Sequence, residues 1–209
     1  MHTTNETQTP TPSRRFIQDA TGLSGAFIAE RSSRQWRQAA ALVEDQYALW
    51  FNASPHPDYP WFLGIKNAQG LPSAVIGARL AARQPTFCER YLDQDVAEMI
   101  AAAAGSPVAR NTVVELGNLA VSSRKQLIPL MLHVRRWAIA EGCDWIVFSL
   151  TRELRASFDR MGIEMLALAP ARADRVGSKH RQWGSYYHHD PFVLAARVCQ
   201  RPDFIRGPS

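Results

Sequence analysis

The hydrophobic pattern is most informative between residues 111 and 150, where a strand, a tight loop, an amphipathic helix and a buried strand follow one another. Residues 113–121 (VVELGNLAV) are apolar and partly β-branched with a two-residue alternation, which is typical of a strand. Strict alternation would place Glu115 and Gly117 on one face and Asn118 on the opposite face. A glycine inside a strand indicates a bulge or a close approach of a ligand to the backbone.

The segment after this strand has the spacing of an amphipathic helix. Its apolar stripe consists of Leu127, Leu130, Met131, Val134 and Ala138. Pro129 is tolerated only in the first helical turn, so the helix should begin near residues 125–127. The apolar run 145–150 then predicts a strand covered on both faces. A strand that leads into a helix N-terminus is a typical site for a phosphate group.

The remaining segments predict an alternation of helices and strands. The predicted helices are 34–51, 86–104 and 152–161. The predicted strands begin at Phe27, cover 61–66, 73–81 and 165–168, and include a last strand within 186–198 with Pro191 near its start. This order predicts an α/β fold with a sheet of mixed direction and helices on both faces.

Composition favours one domain. The chain has 209 residues, of which 46% are hydrophobic, and we expect a single domain over 16–200 with a short tail over 201–209. Residues 1–15 are polar and rich in Thr and Pro, which predicts a disordered tail. No apolar run approaches the roughly 18 residues that span a bilayer, and no signal pattern opens the chain, so we expect a cytoplasmic protein.

The net charge of +5 suits an anionic ligand, an acidic carrier protein or a membrane surface, although a basic protein without any electrostatic partner fits equally well. No run of Lys and Arg and no nucleic-acid-binding motif is present, so we expect no nucleic-acid partner. The three cysteines have no paired spacing, which argues against a zinc or disulfide framework. His188 and His189 would point to opposite faces of a strand, so no metal site is expected.

Three stretches resemble the thermostable hemolysin family. They are FCERYLDQDV from Phe87, VVELGNLAVS from Val113 and WGSYYHHDPFVLAARV from Trp183. The middle region is also similar to acyl-homoserine-lactone synthases, through ARLAARQPTF from Ala78, VVELGNLAV, and RWAIAEGCDWIVFSLTRELRASFDRMGI from Arg136. This resemblance implies a GNAT-like acyltransferase fold with a mostly antiparallel sheet, and transfer of an acyl group from a carrier-protein thioester to an amine.

The same region departs from the GNAT pattern in two places. SRKQLIPL, from Ser123, lies where those enzymes have the pyrophosphate loop R/Q-x-x-G-x-G/A, and it contains no glycine. Phe158 lies where many of them have a general-acid tyrosine, and phenylalanine cannot donate a proton. We therefore expect a shallower phosphate cradle, because side chains hinder close approach of the backbone.

Glu115 is the strongest catalytic candidate. A carboxylate among apolar neighbours needs a partner or a raised pKa, and the second case suits a general base that accepts a proton from an attacking amine. The structural alternative is an ion pair with Arg79 on a neighbouring strand. Asn118 could orient a substrate carbonyl or serve as a structural amide. Arg79 could bind a carboxylate or phosphate, or form a salt bridge.

The acyl donor is expected at the loop and helix start after the strand. Amides at 121–126 should point to solvent, where aligned peptide dipoles favour an anion. The residues assigned to the donor's phosphopantetheine arm are Leu119, Ala120, Val121, Ser122, Ser123, Lys125, Gln126 and Leu127. The adjacent strand ends should splay into a cleft at 120–123. No tightly bound cofactor is expected.

Two further clusters are candidates for the acceptor pocket. They are Glu89, Arg90 and Tyr91, at the expected start of a helix, and the aromatic residues Trp183, Tyr186 and Tyr187. The first cluster could equally be a solvated helix face, and the second could be core. Tyr187 is also a candidate acid.

The sequence thus predicts an N-acyltransferase that uses an acyl carrier protein or coenzyme A thioester and a small amine or amino-acid-like acceptor. A carrier protein is favoured, because one phosphate asks less of the loop than a pyrophosphate and the basic surface attracts an acidic partner. The alternative is a hemolysin-type membrane-active protein, lytic directly or through a lipid product, although no strong cationic amphipathic helix is present. A homodimer is compatible with the sequence.

Overall fold

One seven-stranded sheet, in the order β1-β2-β3-β4-β5-β7-β6, forms the centre of the fold. The computed structural model describes residues 24–198, apart from the side chain of residue 179, so the expected tails at 1–15 and 201–209 lie outside the described residues. The strands are β1 (Ala26–Glu30), β2 (Trp61–Lys66), β3 (Pro72–Leu80), β4 (Val113–Val121), β5 (Trp145–Leu150), β6 (Leu166–Pro170) and β7 (Phe192–Arg197). The α-helices are α1 (Arg34–Phe51), α2 (Val96–Ala104), α3 (Leu127–Ala140) and α4 (Arg152–Arg160).

Helices cover both faces of this sheet, as expected. On one face, α3 and α4 contribute Trp137 and Phe158 to a core that also contains Leu116 of β4. On the other face, α1 packs Val43 into a cluster with Ala120 of β4, and α2 packs its own apolar residues near β5. The helix α3 begins at Leu127 after a short 3-10 turn, which leaves its proline in the first turn as predicted.

The two central strands β4 and β5 run parallel, whereas the other neighbouring strands of the described sheet are antiparallel. Their register starts at Val113 opposite Trp145 and stops at Leu116 opposite Phe148. Beyond that point the strands separate and form a fork. The two strand ends separate as expected, and the separation begins before residues 120–123. On the opposite edge of β4, Ala120 and Val121 remain paired with β3.

A β-bulge in β4 changes which side chains share a face. Val75 pairs with Ala120 and Gly77 pairs with Gly117, so β4 uses one more residue than β3 between these pairs. Asn118 takes up the extra residue with a left-handed φ of 51°. Because the extra residue reverses the alternation, Asn118 and Ala120 face the α1 side, as Glu115 does. The face assignment expected beyond Gly117 was wrong for this reason.

One other segment differs from the predicted elements. The helix expected at 86–104 is divided into a 3-10 turn, Cys88–Tyr91, and α2. Leu92 is extended between them, and Asp95 caps α2 by accepting a hydrogen bond from the Ala97 amide at 2.7 Å. The last strand lies within 186–198 and starts beside Pro191, as expected. It begins at Phe192, after a 3-10 turn that ends in a left-handed Asp190.

Candidate active site

A cavity of about 400 Å³ lies beside the fork, on the sheet face that carries α1. It brings together β3, the bulged part of β4, the end of β5, α1 and the aromatic turns near the C-terminal end of the fold. The lining residues discussed below are Tyr47, Tyr59, Arg79, Cys88, Arg90, Tyr91, Glu115, Gly117, Asn118, Ser149, Trp183 and Tyr186.

Glu115 lies on the wall of this cavity with its side chain 0% exposed to solvent. Its Oε1 accepts a hydrogen bond from the Cys88 amide at 2.6 Å, whereas Oε2 has no hydrogen-bond partner among the described residues. Burial raises the pKa of Glu115, and this effect exceeds the opposite effects of the Phe87 and Cys88 amides and of Arg79. One carboxylate oxygen is therefore held rigidly, and the other is left for a proton or a ligand.

Arg79 is the register partner of Glu115 across β3 and β4. Its Nη1 lies 3.6 Å from Glu115 Oε2, beyond hydrogen-bond distance, so the ion pair considered from the sequence is close but not fully formed. Its Nη2 donates to the Asp58 carbonyl at 2.7 Å, and its guanidinium lies 5.0 Å from the centre of the Tyr59 ring. Asp58 also forms an ion pair with Arg31 at the surface.

Asn118 projects from the bulge into the same cavity, where its side chain forms a hydrogen bond with Tyr47 of α1. Burial raises the pKa of Tyr47, and the bond to Asn118 lowers it in part. At neutral pH this phenol is protonated. The bulge thus places the Asn118 amide on the sheet face that carries Glu115, which regular alternation would have prevented.

The aromatic cluster lines the cavity through two of its three members, Trp183 and Tyr186. The Tyr186 hydroxyl lies 3.1 Å from Ser149 Oγ and donates to the Ser149 carbonyl at 3.2 Å. Tyr187 is not among the lining residues. Its hydroxyl lies 2.9 Å from the hydroxyl of Tyr91, and Tyr91 does line the cavity. The cluster therefore covers one side of the fork.

Of the expected acceptor residues, Arg90 and Tyr91 line the cavity and Glu89 does not. Glu89 accepts hydrogen bonds from the Thr86 amide and from Arg110, which lowers its pKa despite the opposing effect of partial burial. Through these hydrogen bonds Glu89 stabilises the segment before α2. The Arg90 guanidinium lies 5.0 Å from the centre of the Phe87 ring and has no carboxylate partner among residues 24–198.

The expected donor segment is less open than predicted. Leu119 is buried in the core, and Ala120 and Val121 pair with β3. The Ser122 amide donates to the Ser73 carbonyl at 2.8 Å, and Gln126 donates through Nε2 to Ser73 Oγ at 2.5 Å.

The amides of Lys125 and Gln126 are also engaged, with Ser123 Oγ at 3.4 Å and the Ser123 carbonyl at 3.0 Å. The amides at 121–126 were expected to face solvent. Those of Ser122, Lys125 and Gln126 instead form hydrogen bonds within the protein. The side chains from Ser122 to Lys125 are exposed, and Leu127 begins α3 beside them.

No cluster of three or more His, Cys, Asp or Glu residues that could hold a metal ion occurs in the described part of the chain. No helix within residues 24–198 is long and apolar enough to cross a membrane.

Comparison with known proteins identifies the family. The profile of the thermostable hemolysin family matches residues 29–201. The chain belongs to the thermostable hemolysin family. A comparison with curated protein sequences found no significant match.

Solved structures similar to this member of the thermostable hemolysin family include three synthases. The AHL synthase LasI is 11% identical with a TM-score of 0.56, and 83% of this chain and 89% of LasI are covered. FeeM, an N-acyl amino acid synthase from uncultured soil microbes, is 14% identical with a TM-score of 0.56, and 86% of this chain and 96% of FeeM are covered. BjaI, a CoA-dependent acyl-homoserine lactone synthase with SAM and isopentyl-CoA, is 13% identical with a TM-score of 0.55, and 79% of this chain and 77% of BjaI are covered. The likeness confirms the predicted GNAT-like fold.

The lining residues that sequence reasoning did not select include Tyr47, Tyr59, Cys88 and Ser149. Tyr47 belongs to the apolar stripe of α1, and Tyr59 lies in a proline-rich loop, so neither has a local signal of function. The pair of glycines at 77 and 117 was the one available signal, because each meets the Tyr59 ring.

Proposed function

We propose that the protein is an acyltransferase that moves an acyl group from a thioester to a small amine. The observation that supports this most directly is Glu115, whose Oε2 is free of hydrogen bonds in a cavity at the fork of β4 and β5. A buried carboxylate with a raised pKa is a suitable general base for an amine. The GNAT-like fold of the synthases LasI, FeeM and BjaI, which are similar to this chain, supports the same reaction class.

In this reaction Glu115 takes a proton from the acceptor nitrogen as that nitrogen attacks the thioester carbon. A carbon–nitrogen bond forms, the carbon–sulfur bond breaks, and a thiol leaves. Asn118 is suited to orient the thioester carbonyl, since its side-chain amide lies on the same wall as the base. Arg79 is suited to a positioning role, because its charge faces Glu115 and favours the ionised carboxylate between turnovers.

The donor enters, on this proposal, through the fork, with its phosphate beside Ser123, Arg124 and Lys125. Arg124 and Lys125 are exposed cations in the 3-10 turn before α3. Because several amides there are engaged internally, the turn offers fewer contacts to a pyrophosphate than a glycine-rich loop does. We therefore favour an acyl carrier protein, which presents one phosphate, over free acyl coenzyme A. We also propose that the reaction takes place in the cytoplasm.

The acceptor is best explained as an amine that carries a carboxylate. Arg79 and Arg31 both face Asp58, whereas Arg90 has no ion-pair partner within residues 24–198 and lies on the cavity wall. A carboxylate on the acceptor would pair with Arg90 and hold the amine towards Glu115. An amino-acid-like acceptor meets both conditions. Tyr91, Trp183 and Tyr186 would then contact the acyl chain or the acceptor body.

The experiment that tests this proposal measures free thiol release by purified protein from acyl carrier protein and acyl coenzyme A, each with and without a panel of amino acids. We expect release that requires the amine and is matched by an N-acylated product in mass spectrometry. Release from the carrier protein should also fall as salt is raised, because charge steers the encounter. Equal release without any amine would contradict acyl transfer. Dye release from liposomes without a thioester would instead support direct membrane lysis, the function that the family name suggests.

A further inference from the structure

We propose that Tyr59 is the catalytic acid of this site, and that Gly77 and Gly117 hold its hydroxyl beside the fork. This inference rests on the proposed acyl transfer. It assigns to Tyr59 the proton that the leaving thiolate requires, for which Phe158 is unsuited. Phe158 packs against Phe148 at 5.7 Å in the core on the other side of the sheet, away from the cavity.

The glycine pair forms a shelf that only a flat ring can occupy. Gly77 and Gly117 are register partners on β3 and β4. A Cβ built on Gly77 would lie 2.4 Å from Tyr59 Cγ, and one built on Gly117 would lie 2.1 Å from the Tyr59 hydroxyl oxygen. Both distances are shorter than any real contact, so the Tyr59 ring lies directly on both backbones. Neither glycine has a positive φ, which leaves the close approach as the reason for glycine at both positions.

The glycine shelf allows Tyr59 to lie in the cavity that contains Glu115. Tyr59 is 8% exposed, and it lines the cavity together with Glu115 and Asn118. The other tyrosine hydroxyls are engaged: Tyr47 with Asn118, Tyr186 with Ser149, and Tyr91 and Tyr187 with each other. The Tyr59 hydroxyl, in contrast, has no hydrogen-bond partner among the described residues. It is therefore the phenol that remains available to a ligand.

The electrostatic surroundings keep the Tyr59 phenol protonated until the thiolate forms. Burial, and next the charge of Glu115, raise the pKa of Tyr59, so the phenol is protonated at neutral pH. The Arg79 guanidinium, 5.0 Å from the ring centre, opposes this shift and stabilises the phenolate once the proton has left. Arg79 also faces Glu115, so one cation supports both the base and the acid.

The step balances as follows in atoms and charge. Glu115 accepts one proton from the attacking nitrogen, and the carbon–nitrogen bond forms. The carbon–sulfur bond breaks with its electron pair on sulfur, and Tyr59 donates its proton to that sulfur. The proton on Glu115 then returns to the Tyr59 phenolate across the shared cavity. The net products are one amide and one thiol, and no other reactant is needed.

The test compares two donors that carry the same acyl chain, an alkyl thioester (acyl-pantetheine) and an aryl thioester (acyl-thiophenol). Tyr59→Phe keeps the ring on its glycine shelf and removes only the hydroxyl. We expect kcat with the alkyl donor to fall about 100- to 10,000-fold, the range for loss of a general acid. With the aryl donor it should fall less than about tenfold, because an aryl thiolate leaves without protonation. Retained aryl activity also shows that the variant is folded.

Gly117→Ala provides an independent variant, because its Cβ would displace the Tyr59 hydroxyl. It should lose activity selectively with the alkyl donor, and Tyr59→Phe/Gly117→Ala should lose little more than either single variant. Equal losses with both donors, or full alkyl activity in Tyr59→Phe, would overturn the role of Tyr59 while wild-type turnover left acyl transfer intact. A selective alkyl loss in Tyr187→Phe alone would move the acid to Tyr187. No turnover by wild type with either donor or with the acyl carrier protein and coenzyme A thioesters would overturn both proposals.

Discussion

Replacing Arg79 by methionine removes the cation that faces Glu115 and keeps an unbranched side chain. Arg79 Nη1 lies 3.6 Å from Glu115 Oε2, and the two side chains are 10% and 0% exposed. At that separation and an effective dielectric constant of about 20, Coulomb's law gives an attraction of about 4–5 kcal/mol. We expect the free energy of unfolding to fall by about 3–5 kcal/mol, the range for leaving one member of a buried pair without its partner.

The size of this loss should depend on pH. Because the pKa of Glu115 is raised in the folded protein, its contribution to stability is present at low pH and is lost as pH rises through the folded pKa. Removing Arg79 makes the ionised carboxylate still less favourable. The difference between Arg79→Met and wild type should therefore grow as pH rises through the folded pKa of Glu115.

Urea unfolding followed by tryptophan fluorescence measures these free energies, and a double-mutant cycle isolates the pair. Arg79→Met should cost at least about 1.5 kcal/mol less in a Glu115→Gln background than in wild type. Arg31→Met is the matched control, because its ion pair with Asp58 is exposed and should contribute less than about 1 kcal/mol. A coupling energy below about 0.5 kcal/mol would refute the reasoning and leave Arg79 as a brace for Asp58 and Tyr59.

Three further predictions concern Glu115, Arg90 and the N-cap of α2. The acid limb of kcat/KM should report a pKa above the usual glutamate value, with activity rising as pH rises, and a limb at the ordinary value would contradict the burial of Glu115. Arg90→Ala should raise KM about 10-fold or more for an amino acid acceptor but not for its decarboxylated analogue, measured by thiol release; equal effects on both would remove the carboxylate contact. Asp95→Ala should lower the free energy of unfolding by about 1 kcal/mol through loss of the α2 cap, and Asp159→Ala, on the exposed side of α4, should change it by less than about 0.5 kcal/mol.

The elements of the fold could be predicted because they depend on local periodicity. The helix α1 and the strand β4 follow from spacing alone, and the start of α3 follows from the position of Pro129. The break before α2 was missed, because the apolar positions of 86–104 continue across it. The capping contacts of Glu89 and Asp95 outweigh that continuity.

The candidate site could be predicted only in part, because long-range geometry decides it. Glu115 and Arg79 were recognised as charged residues in apolar strands, but their register could not be read from either strand alone. The bulge at Asn118 reverses the face of every later residue in β4, and periodicity gives no sign of where such a residue is inserted. Tyr59 reaches the site from a loop through the space above Gly77 and Gly117, a contact between segments far apart in sequence.

The most direct test of acyl transfer at Glu115 is the turnover of Glu115→Gln, measured as amide product by mass spectrometry with a donor and an amine that the wild type accepts. Glutamine is nearly isosteric, so the variant should fold, and the exposed Glu164→Gln is the matched control that should retain wild-type turnover. We expect Glu115→Gln to lower kcat/KM about 100- to 10,000-fold, the range for loss of a general base. Wild-type turnover in Glu115→Gln would show that the carboxylate is structural and would contradict the proposed chemistry.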